Sequence, residues 1–251
     1  MKRTVQIKNL TIGSGMPKIC VPITGITASE IISQVSAVKA ASPDLVEWRV
    51  DYFEQMKEEA AVEQMLAGLA ETLQDIPVLF TLRTDREGGK AHVTEEAYEK
   101  ILLHALACPQ TDMIDVEVMP QQESAARIIK SAHEKSIPVI ASNHHFEGTP
   151  SNEKIDCIFS CMEKTGADIL KMAVMPQNSR DVLRMMERTL SWHEKSERPL
   201  ITMSMGVLGC VSRMCGEMTG SCMTFAFVTE ASAPGQIDMT SLKHILQILH
   251  Q

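Results

Sequence analysis

Residues 45–51 read Leu45-Val46-Glu47-Trp48-Arg49-Val50-Asp51. Alternate residues of a β-strand share a face, so Glu47, Arg49 and Asp51 point one way and Val46, Trp48 and Val50 the other. A strand of a closed parallel barrel buries both faces, which would put those charges inside the protein. The rest of the chain supports a barrel. Short β-rich apolar runs recur at 19–23, 45–50, 78–82, 113–118, 139–142, 169–174, 200–205 and 225–228. Between them lie stretches of helical period at 30–41, 58–73, 95–107, 123–135, 154–164 and 181–192, then a short crossover at 212–218 and a closing amphipathic helix at 240–250. Eight βα units fit an α/β fold of the (β/α)8 TIM-barrel type better than a doubly wound sheet, which uses fewer strands.

Other strands repeat the pattern of residues 45–51. Asp115-Val116-Glu117 lies in the fourth run, Arg83 ends the third, His144 follows the fifth and Lys171 sits within the sixth. Unpaired buried charges cost several kcal/mol each, so acids and bases drawn from five strands are expected to converge into one paired cluster. In a barrel that cluster belongs at the C-terminal ends of the strands.

Local signals frame these units. Ser29, Ser151 and Ser179 read as helix caps, and Pro77, Pro138 and Pro199 precede strands where a missing N–H is tolerated. Residues 4–12 alternate like one or two short strands ending in Gly13-Ser14-Gly15. A hairpin within residues 1–16, closing the bottom of the barrel, accounts for them. No Pro/Gly/Ser-rich linker divides the chain, so residues 1–251 are expected to form one domain.

Composition narrows the function. With 251 residues, 44% hydrophobic and 22% charged, the chain is ordinary for a globular protein, and its 4% aromatic content implies an aliphatic, Met-rich core. A net charge of −8 argues against nucleic acid, whose backbone requires clustered Lys and Arg. No run of about 18 apolar residues and no secretory leader occurs, which points away from membranes and towards the cytoplasm. Seven cysteines without a CxxC spacing read as reduced, mostly buried thiols and suggest no metal site. No cofactor is implied.

Lys171 is the most informative single residue. Burial and repulsion from Arg49 and Arg83 are expected to disfavour its charged form, and a neutral amine can attack a carbonyl to form an imine. His144 ends the neighbouring strand, and alternation puts Ser142 and His144 on one face, Asn143 and His145 on the other. A histidine one strand from an inward lysine is placed to move protons.

Several segments together carry a resemblance that covers nearly the whole chain. Glu47-Trp48-Arg49-Val50-Asp51, Arg83-Thr84-Asp85-Arg86-Glu87-Gly88-Gly89, Asp115-Val116-Glu117, Ser142-Asn143-His144, Gly166-Ala167-Asp168-Ile169-Leu170-Lys171-Met172-Ala173, Met205-Gly206, Ser212-Arg213 and Ser232-Ala233-Pro234-Gly235-Gln236-Ile237 resemble, in order, the signature blocks of type I 3-dehydroquinate dehydratases. The resemblance implies a lyase that eliminates water from 3-dehydroquinate in syn fashion through a lysine Schiff base, in aromatic biosynthesis or quinate breakdown, often as a homodimer. It assigns the imine to Lys171, proton transfer to His144 and the orienting carboxylate to Glu87. By the same resemblance Arg213 pairs with the substrate carboxylate. Glu47, Arg49, Arg83, Ser232 and Gln236 hold ring hydroxyls and the imine region; Met203 and Met205 form an apolar wall, and Phe225 also belongs to the substrate-binding set. The loop through Ser232 and Gln236 reads as a lid.

This sequence departs from the family pattern at His145, where Asp is usual, at Leu170, often Pro, and at Thr219, often Phe. None of these removes a catalytic group. Three other readings compete: a class I Schiff-base aldolase, a catalytically silent barrel that binds a polyol acid, and a metal-dependent hydrolase using Asp115, Glu117 and His144. Arg213 and Gln236 stand where an aldolase would carry glycine-rich phosphate loops, Lys171, His144 and Glu87 together argue for chemistry over mere binding, and the interleaved Arg49, Arg83 and Lys171 would repel a divalent cation.

Overall fold

The computed structural model describes residues 4–118 and 123–250, so residues 1–3 of the expected hairpin lie outside the described part. Two short strands, β1 (Val5–Ile7) and β2 (Leu10–Ile12), pair antiparallel. Eight parallel strands then alternate with helices. β3 (Lys18–Ile23) leads through α1 (Ala28–Ala41) to β4 (Leu45–Arg49), and α2 (Glu59–Leu73) to β5 (Val78–Thr81). α3 (Glu95–Ala107), β6 (Met113–Glu117), α4 (Glu123–Glu134), β7 (Val139–His145), α5 (Asn152–Lys164), β8 (Ile169–Val174), α6 (Ser179–Lys195) and β9 (Leu200–Ser204) continue the series.

The seventh connection differs from the single segment expected at 212–218. It is three single turns, α7 (Gly206–Gly209), α8 (Val211–Met214) and α9 (Gly216–Thr219), before β10 (Met223–Phe227). A ninth short strand, β11 (Ile237–Asp238), unforeseen in the sequence, pairs parallel with β10 and runs into α10 (Met239–Leu249). Neighbours pair in parallel from β3 to β9, and β10 pairs with β3. The free edges of β9 and β10 meet at a bridge between Leu200 and Ser221, where Cys222 N donates to Leu200 O at 2.7 Å. The sheet thus curls into a (β/α)8 barrel.

Alternation along the strands sorts the interior into levels. Cys20, Leu45, Leu79, Met113, Ile140, Ile169, Ile201 and Met223, one from each strand, form an apolar layer with Val5, Ile7 and Ile12 of the hairpin. The hairpin therefore plugs the N-terminal end, as expected. Two residues further along the strands stand Glu47, Thr81, Asp115, Ser142, Lys171, Met203 and Phe225; two further again stand Arg49, Arg83, Glu117, His144, Ala173 and Met205. The opposite faces, including Val46, Trp48, Phe80, Val116, Ala141, Leu170 and Met172, pack against the helices.

The barrel bottom is tied by a repeated device. Asp44, Asp112 and Asp168, each just before a strand, accept the backbone N–H of Ile19, Val78 and Val139 on the preceding strand at 2.7, 2.9 and 2.9 Å. Pro77, Pro138 and Pro199 lack an N–H, but their carbonyls accept from Val46, Ile114 and Leu170 and so extend the ladder.

Two expected caps move. α1 is capped by Thr27, not Ser29: Thr27 is extended and Glu30 returns its carboxylate to the Thr27 N–H, a reciprocal box that fixes the first turn. α6 is capped by Asn178, not Ser179, because the amide oxygen of Asn178 takes both Arg180 N and Asp181 N. Ser151 caps α5 as expected. Among the described residues no helix is long and apolar enough to cross a membrane.

Candidate active site

An open pocket lies at the C-terminal end of the barrel, the end at which barrel proteins take small-molecule ligands. It is lined by Glu47, Arg49, Arg83, Glu87, His144, Lys171, Met203, Met205, Arg213, Phe225, Ser232 and Gln236, so every candidate site residue opens on one chamber. Gly88, Ala173, Ala233 and Pro234, which lie within the segments quoted above without a role of their own, and Phe146, which lies in none of them, complete the wall.

Lys171 projects from the middle of β8, and its surroundings correct the sequence expectation. Its direct partners are carboxylates rather than arginines: Nζ donates to Asp115 Oδ2 at 3.1 Å and lies 3.7 Å from Glu47 Oε1. The ring of Phe225 covers it with its centroid at 4.5 Å. Glu47 is steadied by Thr81 Oγ1, which donates to it at 2.9 Å.

Arg83 is the hub of the buried charges. Its Nη2 donates to Asp115 Oδ1 at 2.7 Å, and Nη1 reaches Ser142 Oγ at 2.9 Å, Glu87 Oε2 at 3.1 Å and Glu117 Oε1 at 3.2 Å. Burial opposes its charge, but Asp115, Glu117 and Glu87 outweigh that and push its pKa above the ordinary value. Arg83 also reaches the pocket wall, and the protein acceptors hold it there through Nη1 and Nη2. Asp115 is held below the usual carboxylate range: burial raises its pKa, and Arg83 and then Lys171 more than reverse the effect. Asp115 takes its expected place in a paired buried cluster, and Ser142, which donates to Asp115 Oδ1, was not given a part in that cluster. Their signal was there, two residues along from Met113 and Ile140 on the inward face.

His144 and Glu87 form the second unit. Glu87 sits on a 3-10 turn, Asp85–Glu87, that follows β5, and its Oε2 lies 2.8 Å from His144 Nδ1. Burial pushes the Glu87 pKa well up, partly countered by Arg83. Burial, then Arg83, Lys171, Arg49 and His145, push that of His144 well down. Both shifts favour a pair that holds one proton between them. Asn143 Nδ2 also donates to Glu87, at 3.3 Å, so this outward residue helps hold the carboxylate. Gly88, with φ of 76°, lies flat against Phe146: a Cβ there would come within 2.2 Å of the ring. That close approach lets Phe146 cover the rim beside Glu87.

Arg49 is engaged by Asp51 through two parallel bonds of 2.8 Å and lies over the Tyr52 ring. Arg213, on α8, contrasts with it. It is 2% exposed, and burial draws its pKa from 12.5 down to about 10. Its contacts are Met203 Sδ at 3.6 Å and Pro234 O at 3.2 Å, its Nε has no partner, and no carboxylate lies within 4.0 Å among the described residues. A desolvated guanidinium of this kind is prepared for an anion. Across the mouth, the Ser232–Gln236 segment folds on itself, Gln236 Oε1 accepting from Ser232 N at 2.8 Å and Nε2 donating to Ser232 Oγ at 3.0 Å. Pro234 O is latched by Gly206 N at 3.1 Å.

This chain shares its sequence with a family across nearly its whole length. The profile described as Type I 3-dehydroquinase matches residues 19–251. The 3-dehydroquinate dehydratase of Listeria monocytogenes is 41% identical over 247 residues, covering 98% of both chains, and that of Clostridioides difficile is 42% identical over 252 residues, covering 100% of this chain and 99% of the other. A crystal structure of the type I enzyme from Clostridium difficile, with covalently modified comenic acid, superposes with a TM-score of 0.96 at 43% identity and covers 100% of this chain and 99% of that one. The 3-dehydroquinate dehydratase of Geobacillus kaustophilus gives 0.95 at 34% identity, covering 99% and 98%. With the barrel, the pocket and full-length similarity in agreement, the chain belongs to the type I 3-dehydroquinases.

Proposed function

We propose that the protein dehydrates 3-dehydroquinate to 3-dehydroshikimate through an imine on Lys171. The observation that carries the proposal is the division of labour in one pocket: a lysine amine and a His144–Glu87 proton pair at one side, and an anion-ready Arg213 without a carboxylate partner at the other. The substrate is a cyclic keto acid with hydroxyls, and each part finds a matching group. Its carboxylate meets Arg213, its hydroxyls meet polar groups such as Glu47, Arg49, Ser232 and Gln236, and Met203, Met205 and Phe225 pack against the ring.

In this mechanism Lys171 gives up one proton to His144 and its neutral Nζ adds to the C3 carbonyl; that proton returns to the C3 oxygen as water departs, leaving a cationic imine whose charge Glu47 and Asp115 are placed to balance. The imine acidifies C2. His144 Nε2 takes a C2 proton while Glu87 supports the imidazolium through Nδ1, and the electron pair forms an enamine. The C1 hydroxyl then leaves as water with a proton returned by His144, and hydrolysis of the new imine frees Lys171. The reaction has a place in the shikimate route or in quinate catabolism. We also assign the protein to the cytoplasm, supported by seven free thiols, and to a homodimer, supported by exposed Val207, Met218 and Leu183 at 91%, 67% and 64% accessibility. Sedimentation analysis tests the dimer.

Ultraviolet absorbance of the conjugated enone product tests the reaction. Borohydride added during turnover reduces the imine to a stable amine, and mass spectrometry is expected to find one ligand per chain on the peptide containing Lys171, with none on Lys171→Ala. Product formation without any label, or a label on another lysine, refutes the Schiff-base route.

A further inference from the structure

The turn carrying Glu87 is gripped from both sides by carboxylates that do not line the pocket. On one side Asp51 Oδ2 accepts from Lys90 N at 2.9 Å and Asp51 Oδ1 from Arg83 N at 3.4 Å. On the other is Glu117, at the end of β6 and 1% exposed. Glu117 accepts from Thr84 N at 2.7 Å, Thr84 Oγ1 at 2.6 Å and Arg83 Nη1 at 3.2 Å, while its own backbone N–H donates to the Tyr98 hydroxyl at 2.8 Å. All three donors to its side chain come from the two residues immediately before the turn. Asp85 N bonded to Ala91 O, and Ala91 N bonded to Arg83 O, close the neck of the loop between the two carboxylates.

A buried carboxylate is a costly way to hold a loop that neutral groups can hold. Its charge matters because Arg83 Nη1 is divided between Glu117 and Glu87, at 3.2 and 3.1 Å. We propose that Glu117 is a positioning residue for the reaction, fixing through Thr84 and Arg83 where the Glu87 carboxylate meets His144 and how much of the Arg83 charge that carboxylate receives. This rests on the reading of His144 and Glu87 as the proton-transfer pair. The charged groups acting on His144 are Glu87 from the loop, Arg83 beyond β5, Lys171 on β8, Arg49 on β4 and His145 beside it; Arg83 is the one that Glu117 touches. Without the Glu117 charge, Arg83 acts more fully on Glu87 and His144. The pair then gives up its shared proton at lower pH, in keeping with the upward push of Glu117 on Glu87.

Glu117→Gln removes the charge at nearly constant volume. With 3-dehydroquinate the expected result is a fall in kcat of about 10-fold with KM within about twofold. In the ligand-free protein the His144 titration, followed by imidazole NMR, is expected to move about one pH unit to the acid side. Should Glu117→Gln not fold, Thr84→Val, which deletes the hydroxyl donor to Glu117 and leaves its charge to draw Arg83 from Glu87, is expected to move the His144 titration to the alkaline side at smaller size with a smaller fall in kcat, and Thr84→Ser restores both values. An unmoved His144 titration in the folded variant overturns the proposal whatever happens to kcat. If the natural protein itself does not turn over 3-dehydroquinate, the dehydratase reading fails, and the NMR titration still decides the role of Glu117.

Discussion

Replacing Arg213 with methionine is expected to strengthen the ligand-free fold and weaken ligand binding at the same time. In the folded protein burial lowers the Arg213 pKa from 12.5 to about 10. At about 1.4 kcal/mol per pH unit this corresponds to about 3 kcal/mol against the charged form. Because the folded-state pKa lies below the unfolded one, the charge weakens the fold at neutral pH, and the weakening is relieved only as pH rises through about 10 towards 12.5. The contacts offset little of this, being one thioether and one carbonyl. Arg213→Met keeps an unbranched chain in a wall already built from Met203 and Met205, while Pro234 O retains the Gly206 N–H. Urea unfolding is expected to show a gain of about 1–3 kcal/mol, which for a chain of this length raises Tm by about 2–4 °C per kcal/mol. Calorimetry with a carboxylate product analogue is expected to show a loss of about 2–5 kcal/mol, so Kd rises by at least about 30-fold. A variant that unfolds more easily than the natural protein and binds the analogue equally well would refute the assignment of Arg213 as the carboxylate-binding group.

His144→Ala is expected to lower kcat at least about 100-fold in the enone assay, and His145→Ala far less, because only His144 faces the pocket; swapped effects would show that the end of β7 faces the other way. Asp168→Ala removes the acceptor of Val139 N and of His133, and is expected to cost about 1–2 kcal/mol in urea unfolding with kcat unchanged, since it lies at the opposite end of the barrel. Asp115, held below its ordinary 3.8, contributes stability that is full above that value and is lost as pH falls through the folded-state pKa. Stability measured against pH is therefore expected to lose part of its acid dependence below about pH 4 in Asp115→Asn.

The sequence made the barrel legible because eight apolar runs and their helices alternate without interruption, and the strand period then announced which residues face inward. Leu45, Glu47 and Arg49 show the rule: one apolar residue at the plugged end and charges two and four positions on. The same rule contains Asp115 and Ser142, yet nothing in residue types alone reveals that Arg83 would donate to Asp115, Glu87, Glu117 and Ser142 together, because bond partners depend on register between strands. Lys171 shows the same limit. Its arginine neighbours were foreseeable, but Asp115 and Glu47 stand nearer. The caps at Thr27 and Asn178 were hidden by serines one or two residues on, where propensity points equally well. Phe146 carried no pattern, since its contact with Gly88 joins two loops.

On the proposed reading, the distribution of charge around the pocket also favours one way for a keto acid to enter. Lys171 lies beside two carboxylates, Glu47 and Asp115. Arg213 stands apart with no carboxylate among the described residues. A ligand carboxylate turned towards Lys171 would face Glu47 and Asp115 and pay repulsion of several kcal/mol, while Arg213 stayed buried and unpaired. Turned towards Arg213, it supplies the missing counter-ion and leaves the ketone for the amine. On the proposed imine route the preference persists through the reaction. The lysine nitrogen is cationic as an ammonium and cationic again as an iminium, so Glu47 and Asp115 need not rearrange between the two states. What changes is the fate of the C2 proton, and the group placed to receive it, His144, is the one whose charged form burial, Arg83 and Lys171 most oppose in the resting protein. The pocket therefore keeps His144 available as a base, with Glu87 close enough to hold the imidazolium once it forms.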